Sequence, residues 1–220
     1  MNVLTEKKLK IALTKGRVEK QVIPMLEQAG INCDQIRNKQ RRLIFDSKLQ
    51  PYQFILAKGP DVNTFLERGA ADIGIVGSDI LTEQQSSQYE LLDLGIGKCQ
   101  FVLASTKDFD PKAPRRKIIG TKYPLITKRY FDSLGQDVEI IKIEGSVELA
   151  PLTGLADAIV DITETGTTIR ENHLKIFDYL DKVSTRLVVN RMSLKQQPEA
   201  IFDFVDGLKK VIDSNFEEEA

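Results

Sequence analysis

The chain has 220 residues, of which 41% are hydrophobic and 29% are charged, which suits one large domain or two small ones and excludes intrinsic disorder. The net charge of −1 at pH 7 excludes the overall basic field of a nucleic-acid-binding protein, so an anionic ligand must be held by a local cluster. Cys33 and Cys99 have neither the spacing of a disulfide framework nor that of a zinc site. The N-terminus lacks a signal-peptide core and no apolar run approaches about 18 residues, so we expect a soluble, cytoplasmic protein without a membrane segment.

Strands and helices are predicted to alternate along the first part of the chain. Short apolar runs predict strands at residues 9–13, 43–46, 52–57 and 71–76. A helix at 18–29 is expected to end at Gly30 and to kink or break at Pro24. Gly59-Pro60-Asp61 is predicted to open a second helix, with proline at its first position, that ends at Gly69, and Ser78 to cap a third. This alternation is typical of an α/β fold with a mostly parallel sheet.

A second alternation follows. Strands are predicted at 98–104, 117–120, 138–143 and 157–161, with helices near 124–134 and 146–153. Another β-rich run spans 184–191, and Pro198 opens an amphipathic helix. In this interpretation the β-rich stretches 90–104 and 184–191 carry the chain from one lobe to another and back. We therefore predict two α/β lobes with a cleft, lobe I from residues 1–92 plus 185–220 and lobe II from 93–184.

The stretch VDITETGTTIREN, residues 160–172, ends an apolar strand with two carboxylates and a small hydroxyl-rich turn. Backbone N–H groups around Gly166 and the hydroxyls of Thr165, Thr167 and Thr168 favour a phosphate. Asp161 and Glu164 suit sugar hydroxyls, so ribose 5-phosphate satisfies both demands. The alternative is an ordinary strand-to-helix cap, because the GxGxxG and P-loop spacings are both absent.

Cations are concentrated in two segments. Lys15-Gly16-Arg17 follows the first strand, at the sheet edge where ligands of α/β folds gather. Residues 37–42 carry four cations, and among them Arg41 and Arg42 suit the oxygens of a pyrophosphate. The alternative for the first segment is a solvated turn, and the alternative for the second is a solvated face.

The glycines of residues 74–79 allow a ligand near the backbone, where Ser78 or Asp79 is placed to contact a base or sugar. The alternative for this segment is a tight turn with a capped helix. His173, the single histidine, joins no catalytic arrangement, and nothing has the spacing of a metal cage.

Six motifs in order make the chain resemble the ATP phosphoribosyltransferase family from Leu9 to Met192. They are ALTKGR, RRLIF, ADIGIVGSDIL, ELLDLGIGKCQFVLA, GSVELAPLTGLADAIVDITETGTT and RLVVNR. The resemblance implies two lobes like a type II periplasmic binding protein. It also implies ATP and phosphoribosyl diphosphate as substrates, Mg²⁺ bound mainly through their phosphates, and the first step of histidine biosynthesis.

The resemblance also suggests how the site and the subunits are organised. Lys15, Gly16, Ser78 and Asp79 would bind ATP, the 161–168 turn would bind phosphoribosyl diphosphate, and Arg17, Arg41 and Arg42 would be catalytic. The chain ends soon after the Pro198 helix, as in the short form of the enzyme. That form works with a regulatory subunit resembling a histidyl-tRNA synthetase catalytic domain, so we expect a hetero-oligomer containing dimers of this chain and histidine binding on the partner.

In the expected reaction, N1 of adenine attacks the anomeric carbon and pyrophosphate leaves. N1 already has a free lone pair, so no strong base is needed, and orientation and charge neutralisation should supply catalysis. A type I phosphoribosyltransferase and a non-catalytic two-lobe binding module are the rival interpretations. Release of pyrophosphate separates an enzyme from a binding module.

Overall fold

The computed structural model describes residues 8–218, with side chains described as far as residue 214. Sequence-based expectations for segment 1–7 and for the end of the acidic tail lie outside these residues. Within the described part, no helix is long and apolar enough to cross a membrane.

Strands and helices alternate along most of the described chain. The strands are β1 (Leu9–Thr14), β2 (Ile44–Asp46), β3 (Tyr52–Ala57), β4 (Ile73–Gly77), β5 (Tyr89–Asp93), β6 (Cys99–Ser105), β7 (Lys117–Thr121), β8 (Val138–Lys142), β9 (Ala158–Thr163), β10 (Lys175–Val183) and β11 (Thr185–Val189). The helices are α1 (Arg17–Gln28), α2 (Asp34–Arg37), α3 (Gly59–Glu67), α4 (Ser78–Glu83), α5 (Pro124–Ser133), α6 (Leu149–Leu152), α7 (Thr167–Glu171), α8 (Arg191–Gln196) and α9 (Pro198–Glu218).

The chain divides into two compact units. Unit 1 comprises the chain up to Gly97 and from Ser184 onward, and unit 2 comprises Lys98–Val183. The sequence predicts these boundaries at residues 92 and 184. The 90–104 stretch is two strands, β5 and β6, separated by a turn in which Gly95 and Gly97 have φ values of 67° and 64°.

Unit 1 contains a six-stranded sheet in the order β2-β3-β1-β4-β11-β5. β1 runs parallel to β3 and β4, whereas β2 and β11 run antiparallel to their neighbours. Apolar side chains of α1 and α9 pack in one cluster with Ile11 and Ile75. α3 packs in another cluster with Ala12 and Val76, so helices cover both faces of the sheet. The buried positions Phe204 and Leu208 confirm the predicted apolar stripe of the Pro198 helix.

Unit 2 contains a five-stranded sheet in the order β10-β6-β9-β7-β8. β7 runs parallel to β8 and β9, and β6 and β10 are antiparallel additions. The sequence analysis missed β10, a half-exposed edge strand whose pairing with β6 is interrupted by two register shifts. Bulges of this kind break the two-residue alternation that reveals a strand in sequence. The helix predicted at 146–153 is shorter than expected, with four residues in α6.

Several predicted helix boundaries are confirmed and others are wrong. Gly30 and Gly69 follow α1 and α3 with φ values of 78° and 67°, as expected for residues that end helices. The predicted break at Pro24 is wrong, because α1 continues through it with buried residues on either side. Pro60 is the second residue of α3, after Gly59.

The cap predicted at Ser78 is also wrong. Gly77 precedes the first turn of α4, and Ser78 is the first helical residue. The backbone N–H of Ser78 donates to the carbonyl of Ser184 at 2.9 Å, and its hydroxyl accepts from the Ser184 N–H at 3.3 Å. Ser78 therefore ties α4 to the segment that leads into β11.

An ion pair fixes the start of β9 in unit 2. The Arg115 guanidinium donates to the Asp157 carboxylate at 2.8 Å, and the Ile118 N–H donates to the same carboxylate at 2.7 Å. The hydrogen bond from Arg115 holds the pKa of Asp157 below its usual value, and the Ile118 N–H adds to this effect.

We predict that this pair makes unit 2 less stable in acid. The pKa of Asp157 is lower in the folded than in the unfolded chain, where it is about 3.9. The stabilisation is therefore present above that value and is lost as the pH falls through the folded pKa. Urea midpoints measured from pH 6 down to pH 2.5 should fall less steeply for Asp157→Asn than for wild type. Asp132→Asn, which removes an exposed partner of Lys128, should keep the wild-type slope, and equal slopes in all three proteins would contradict the prediction.

Candidate functional site

The parallel strands of unit 1 end at one edge of the sheet. β1, β3 and β4 end at Thr14, Ala57 and Gly77, and they are followed by the Lys15-Gly16-Arg17 loop, the Lys58-Gly59 loop and the start of α4 at Ser78-Asp79. The Lys15 N–H donates to the Ala57 carbonyl at 2.8 Å, which joins the first two loops. The structure therefore brings the predicted ATP ligands to one edge, where ligands of parallel sheets bind.

Arg41 and Arg42 lie at this same edge. β2 pairs antiparallel with β3, with Ile44 opposite Ile55, so residues preceding β2 lie beside the end of β3. The Arg42 guanidinium lies 5.4 Å from the ring centroid of Phe45, in a cation–π contact, and Arg41 is exposed.

The other two cations of the 37–42 run have structural partners. Arg37 donates to Glu27 through its Nε at 2.6 Å, and Lys39 pairs with Glu19. Both carboxylates belong to α1. Arg37 and Lys39 are therefore anchored on α1, whereas Arg41 and Arg42 lie at the edge of the sheet.

The turn between β1 and α1 depends on a carboxylate that the sequence analysis missed. Gly16 has a φ of 89°, and its N–H donates to Glu19 Oε2 at 3.2 Å. Glu19 is the third residue of α1, the capping-box position, and that spacing was the available signal. Arg17 Nη2 contacts the carbonyl of Gly97 at 3.5 Å, where the chain leaves unit 1.

Asp79 is buried at the start of α4, with 8% exposure. Its carboxylate folds back over the turn, since one oxygen occupies the position that a Cβ on Gly77 would take. A side chain at residue 77 would displace this carboxylate. Gly77 is therefore required by the position of Asp79.

In unit 2, the hydroxyl-rich turn follows β9 directly. Gly166 is buried and has a φ of 71°, a conformation in which a Cβ would be strained. Its N–H donates to Thr163 Oγ1 at 2.9 Å, so this donor is used within the turn. Glu164 is exposed, and Asp161 lies half-buried on β9, where one carboxylate oxygen accepts from the Ile162 N–H at 2.8 Å.

Arg170, which the sequence analysis also missed, lies across this turn. Its guanidinium donates to the Thr165 carbonyl at 2.8 Å and to Thr167 Oγ1 at 3.2 Å. The hydroxyls of Thr165 and Thr167 are 2.8 Å apart. Arg170 follows Gly166 by one helical turn, and helical side chains lean toward the N-terminus, so the spacing was a usable signal.

The predicted site residues fall into one set in each unit. Asp161 to Thr168 belong to unit 2, and the other predicted residues belong to unit 1. In unit 1, Thr185 at the start of β11 pairs with Gly77, and in unit 2, Gln100 near the start of β6 pairs with Thr163. In the described residues, no group of three or more histidine, cysteine, aspartate or glutamate side chains is arranged to hold a metal ion.

His173 and the cysteines have structural surroundings. His173 has a φ of 58° and its N–H donates to the Arg170 carbonyl at 3.0 Å, which ends α7. Cys33 is buried, and burial raises the pKa of its thiol to about 12, which makes it a poor nucleophile. Cys99 is buried at the start of β6.

Comparison with known proteins identifies close relatives. The family model described as ATP phosphoribosyltransferase matches residues 58–210. The ATP phosphoribosyltransferase of Lactiplantibacillus plantarum is 82% identical over 96% of this chain and 97% of its own. The ATP phosphoribosyltransferase of Listeria monocytogenes serotype 4b is 58% identical over 94% of this chain and 97% of its own.

Solved structures confirm the predicted fold class. A chain of the ATP phosphoribosyl transferase (HisG:HisZ) complex from Thermotoga maritima matches with a TM-score of 0.80 and 36% identity, over 94% of this chain and 99% of that one. The periplasmic aliphatic sulphonate binding protein SsuA from Escherichia coli matches with a TM-score of 0.59 and 11% identity, over 97% of this chain and 75% of that one. This last similarity concerns the fold alone.

Proposed function

The chain belongs to the ATP phosphoribosyltransferase family, and we propose that the Gly166 turn and the cationic edge of unit 1 carry its reaction. In this reaction the 5-phosphoribosyl group of phosphoribosyl diphosphate is transferred to N1 of ATP and pyrophosphate is released. The transfer is the first step of histidine biosynthesis. The observation that carries the site assignment is the left-handed, buried Gly166, which lies between the carboxylates of Asp161 and Glu164 and the threonines of α7 in the chain.

The turn and β9 offer the two kinds of group that a phosphorylated ribose needs. The hydroxyls of Thr165, Thr167 and Thr168 and the first amides of α7 are the donors for the 5-phosphate, because Gly166 N–H is used by Thr163. Asp161 and Glu164 accept from the ribose hydroxyls. Arg170 bonds to the two threonines that flank Gly166. We propose that its positive charge also attracts the phosphate.

The cationic edge of unit 1 suits the polyphosphates. Lys15, Gly16, Ser78 and Asp79 are proposed to bind ATP, and Arg17, Arg41 and Arg42 to neutralise the charge that develops on the leaving pyrophosphate. N1 of adenine attacks with its own lone pair, so the chemistry requires orientation of two substrates rather than a strong base.

We propose Mg²⁺ as the cofactor, carried into the site on the substrate phosphates. Mg²⁺ retains several waters and binds through one or two carboxylates plus phosphate oxygens, so a cage of protein ligands is not required. Asp161 and Glu164 are the carboxylates that precede the proposed phosphate turn in the chain. When bound, the ion would reduce the repulsion between the two anionic substrates.

We further propose that the chain works with a regulatory subunit in a hetero-oligomer. The matching Thermotoga maritima structure is a complex named for two proteins, HisG and HisZ, and the present chain covers 99% of the chain that it matches there. A partner that resembles a histidyl-tRNA synthetase catalytic domain, together with dimers of this chain, is the arrangement that we expect from the short form of the enzyme.

The direct test mixes the purified chain with ATP, phosphoribosyl diphosphate and Mg²⁺, with and without the proposed partner. Absorbance follows the N1-phosphoribosyl adduct, and a coupled assay follows pyrophosphate. Adduct and pyrophosphate should appear in equal amounts. A chain that binds both substrates and releases no pyrophosphate in either mixture would instead be a binding module.

We predict that Gly166→Val abolishes binding of phosphoribosyl diphosphate while the protein remains folded. A Cβ at this φ is strained, and it would lie 3.1 Å from Arg170 Nη1, so the Arg170 guanidinium that bonds to Thr165 and Thr167 must shift. Calorimetric titration with phosphoribosyl diphosphate measures the loss. Gly135→Val is the matched control, because Gly135 has a φ of 65° in the same unit but ends α5. Unchanged affinity in Gly166→Val would remove the phosphate from this turn.

We predict that Arg41→Ala lowers turnover more than it weakens ATP binding. An exposed arginine that neutralises the leaving group acts mainly in the transition state, where such a donor is worth about 10²–10³ in rate. Steady-state kcat and the ATP dissociation constant give the comparison. Arg37→Ala, which removes a cation anchored on Glu27, should change kcat little. Wild-type kcat in both Arg41→Ala and Arg42→Ala would show that these side chains form a solvated surface.

We predict that histidine, as a feedback inhibitor, binds the regulatory partner and not this chain alone. Histidine bound to the partner would weaken substrate binding to this chain through the interface between the two proteins. Such coupling between two sites corresponds to a free energy of about 1–3 kcal/mol. Calorimetry on the isolated chain should detect no histidine binding at concentrations that inhibit the complex. Saturable binding to the isolated chain would overturn this model of regulation and leave the catalytic assignment intact.

A further inference from the structure

Glu19 is a buried carboxylate that links two cationic segments far apart in sequence. It is 4% exposed, it accepts the Gly16 N–H through Oε2 at 3.2 Å, and it pairs with Lys39 through Oε1. Gly16 lies between Lys15 and Arg17, and Lys39 immediately precedes the turn that carries Arg41 and Arg42. One side chain therefore holds both segments.

The charges explain why such a link is needed. Lys15, Arg17, Lys39, Arg41 and Arg42 bring five positive charges to neighbouring loops, which repel one another when no substrate is bound. A carboxylate placed beneath them reduces this repulsion. A buried carboxylate is itself stable only when it is paired and hydrogen-bonded, and both partners of Glu19 come from the segments that it joins.

Short contacts connect Lys39 to Arg42, so the position of Lys39 constrains that of Arg42. The Lys39 carbonyl accepts the Arg42 N–H at 3.0 Å across a turn in which Gln40 has a φ of 51°. The Arg42 guanidinium then lies over the ring of Phe45, which is 1% exposed in the core. Arg42 is thus fixed by its backbone on one side and by a buried ring on the other.

On the basis of the proposed function, we propose that Glu19 is a positioning residue for the transfer reaction. It sets the Arg42 guanidinium and the Gly16 turn relative to each other, so that the two cationic segments act on the pyrophosphate as one unit. Glu19 acts through Lys39 and does not contact substrate. A displacement of Arg42 by about 1 Å is enough to lower the rate substantially.

The first test is Glu19→Gln, which keeps an acceptor for the Gly16 N–H and removes the charge that binds Lys39. We expect kcat to fall about tenfold, product inhibition by pyrophosphate to weaken by a similar factor, and the KM for ATP to change less than about threefold. Lys39→Met should reproduce these changes, and Lys39→Arg, which keeps the ion pair, should restore most of the kcat. Lys39 is partly exposed, so its variants test the proposal even where Glu19→Gln fails to fold.

Glu27→Gln is the matched control. It breaks the pair with Arg37, which ties the same segment to the same helix without touching Gly16. We expect its kcat to remain within about twofold of wild type, as for other surface pairs of small energetic value. An equal loss of kcat in Glu27→Gln and Glu19→Gln would show general loosening of the segment and would overturn the proposal.

A double-mutant cycle separates positioning from loss of stability. In an Arg42→Ala background, Glu19→Gln should lower kcat by less than about twofold, because the residue that it positions is gone. The same factor in both backgrounds would indicate an independent structural effect and overturn the proposal. The assay of the wild-type protein with both substrates gives the reference. If it releases no pyrophosphate, the proposed function fails. If Glu19→Gln and Lys39→Met both keep the wild-type kcat, only the positioning role of Glu19 is refuted.

Discussion

The parallel pairing of β1 with β3 and β4 is the constraint on which the candidate site depends. In this register Thr14 pairs with Ala57, and Leu13 pairs with Ile75, so the three strands end together. Their following loops have to open at one edge, because the helices return along the faces of the sheet. The antiparallel neighbours extend the set, since β2 and β11 begin where the parallel strands end. Residues more than sixty positions apart along the chain thus reach the same edge.

The same constraint acts in unit 2 with a different result. β7, β8 and β9 are parallel, and β9 ends at the carboxylates and the glycine turn. Here the turn is stabilised from within. Thr163 accepts the Gly166 N–H, and Arg170 reaches back to Thr165 and Thr167. A turn that is ordered before ligand binding loses less conformational freedom when a ligand binds, which favours the phosphate site that we propose here.

Sequence patterns predicted the elements whose burial follows a simple period, and they missed those whose partners lie elsewhere. The strands of unit 1 appear as apolar runs because both of their faces are covered. β10 lies at an edge with interrupted pairing, and its alternation is lost. Ser78 has a typical capping side chain, yet its partner is Ser184, 106 residues away. Charge counting found the 37–42 run, but only the positions of Glu19 and Glu27 on α1 show which cations are anchored.

The repulsion between cations explains why Arg37 and Lys39 are paired with carboxylates of α1 while Arg41 and Arg42 are exposed. An anion site needs positive charge that a ligand can reach, but an empty cluster of cations is unstable in a compact fold. A carboxylate at the surface between Arg41 and Arg42 would relieve the repulsion and would also compete with phosphate oxygens. Glu19 relieves it from beneath, since its two oxygens are used by Gly16 and Lys39 within the protein. The negative charge of Glu19 is thus used within the protein, so a chain with a net charge of −1 still has exposed cations at this edge of the sheet.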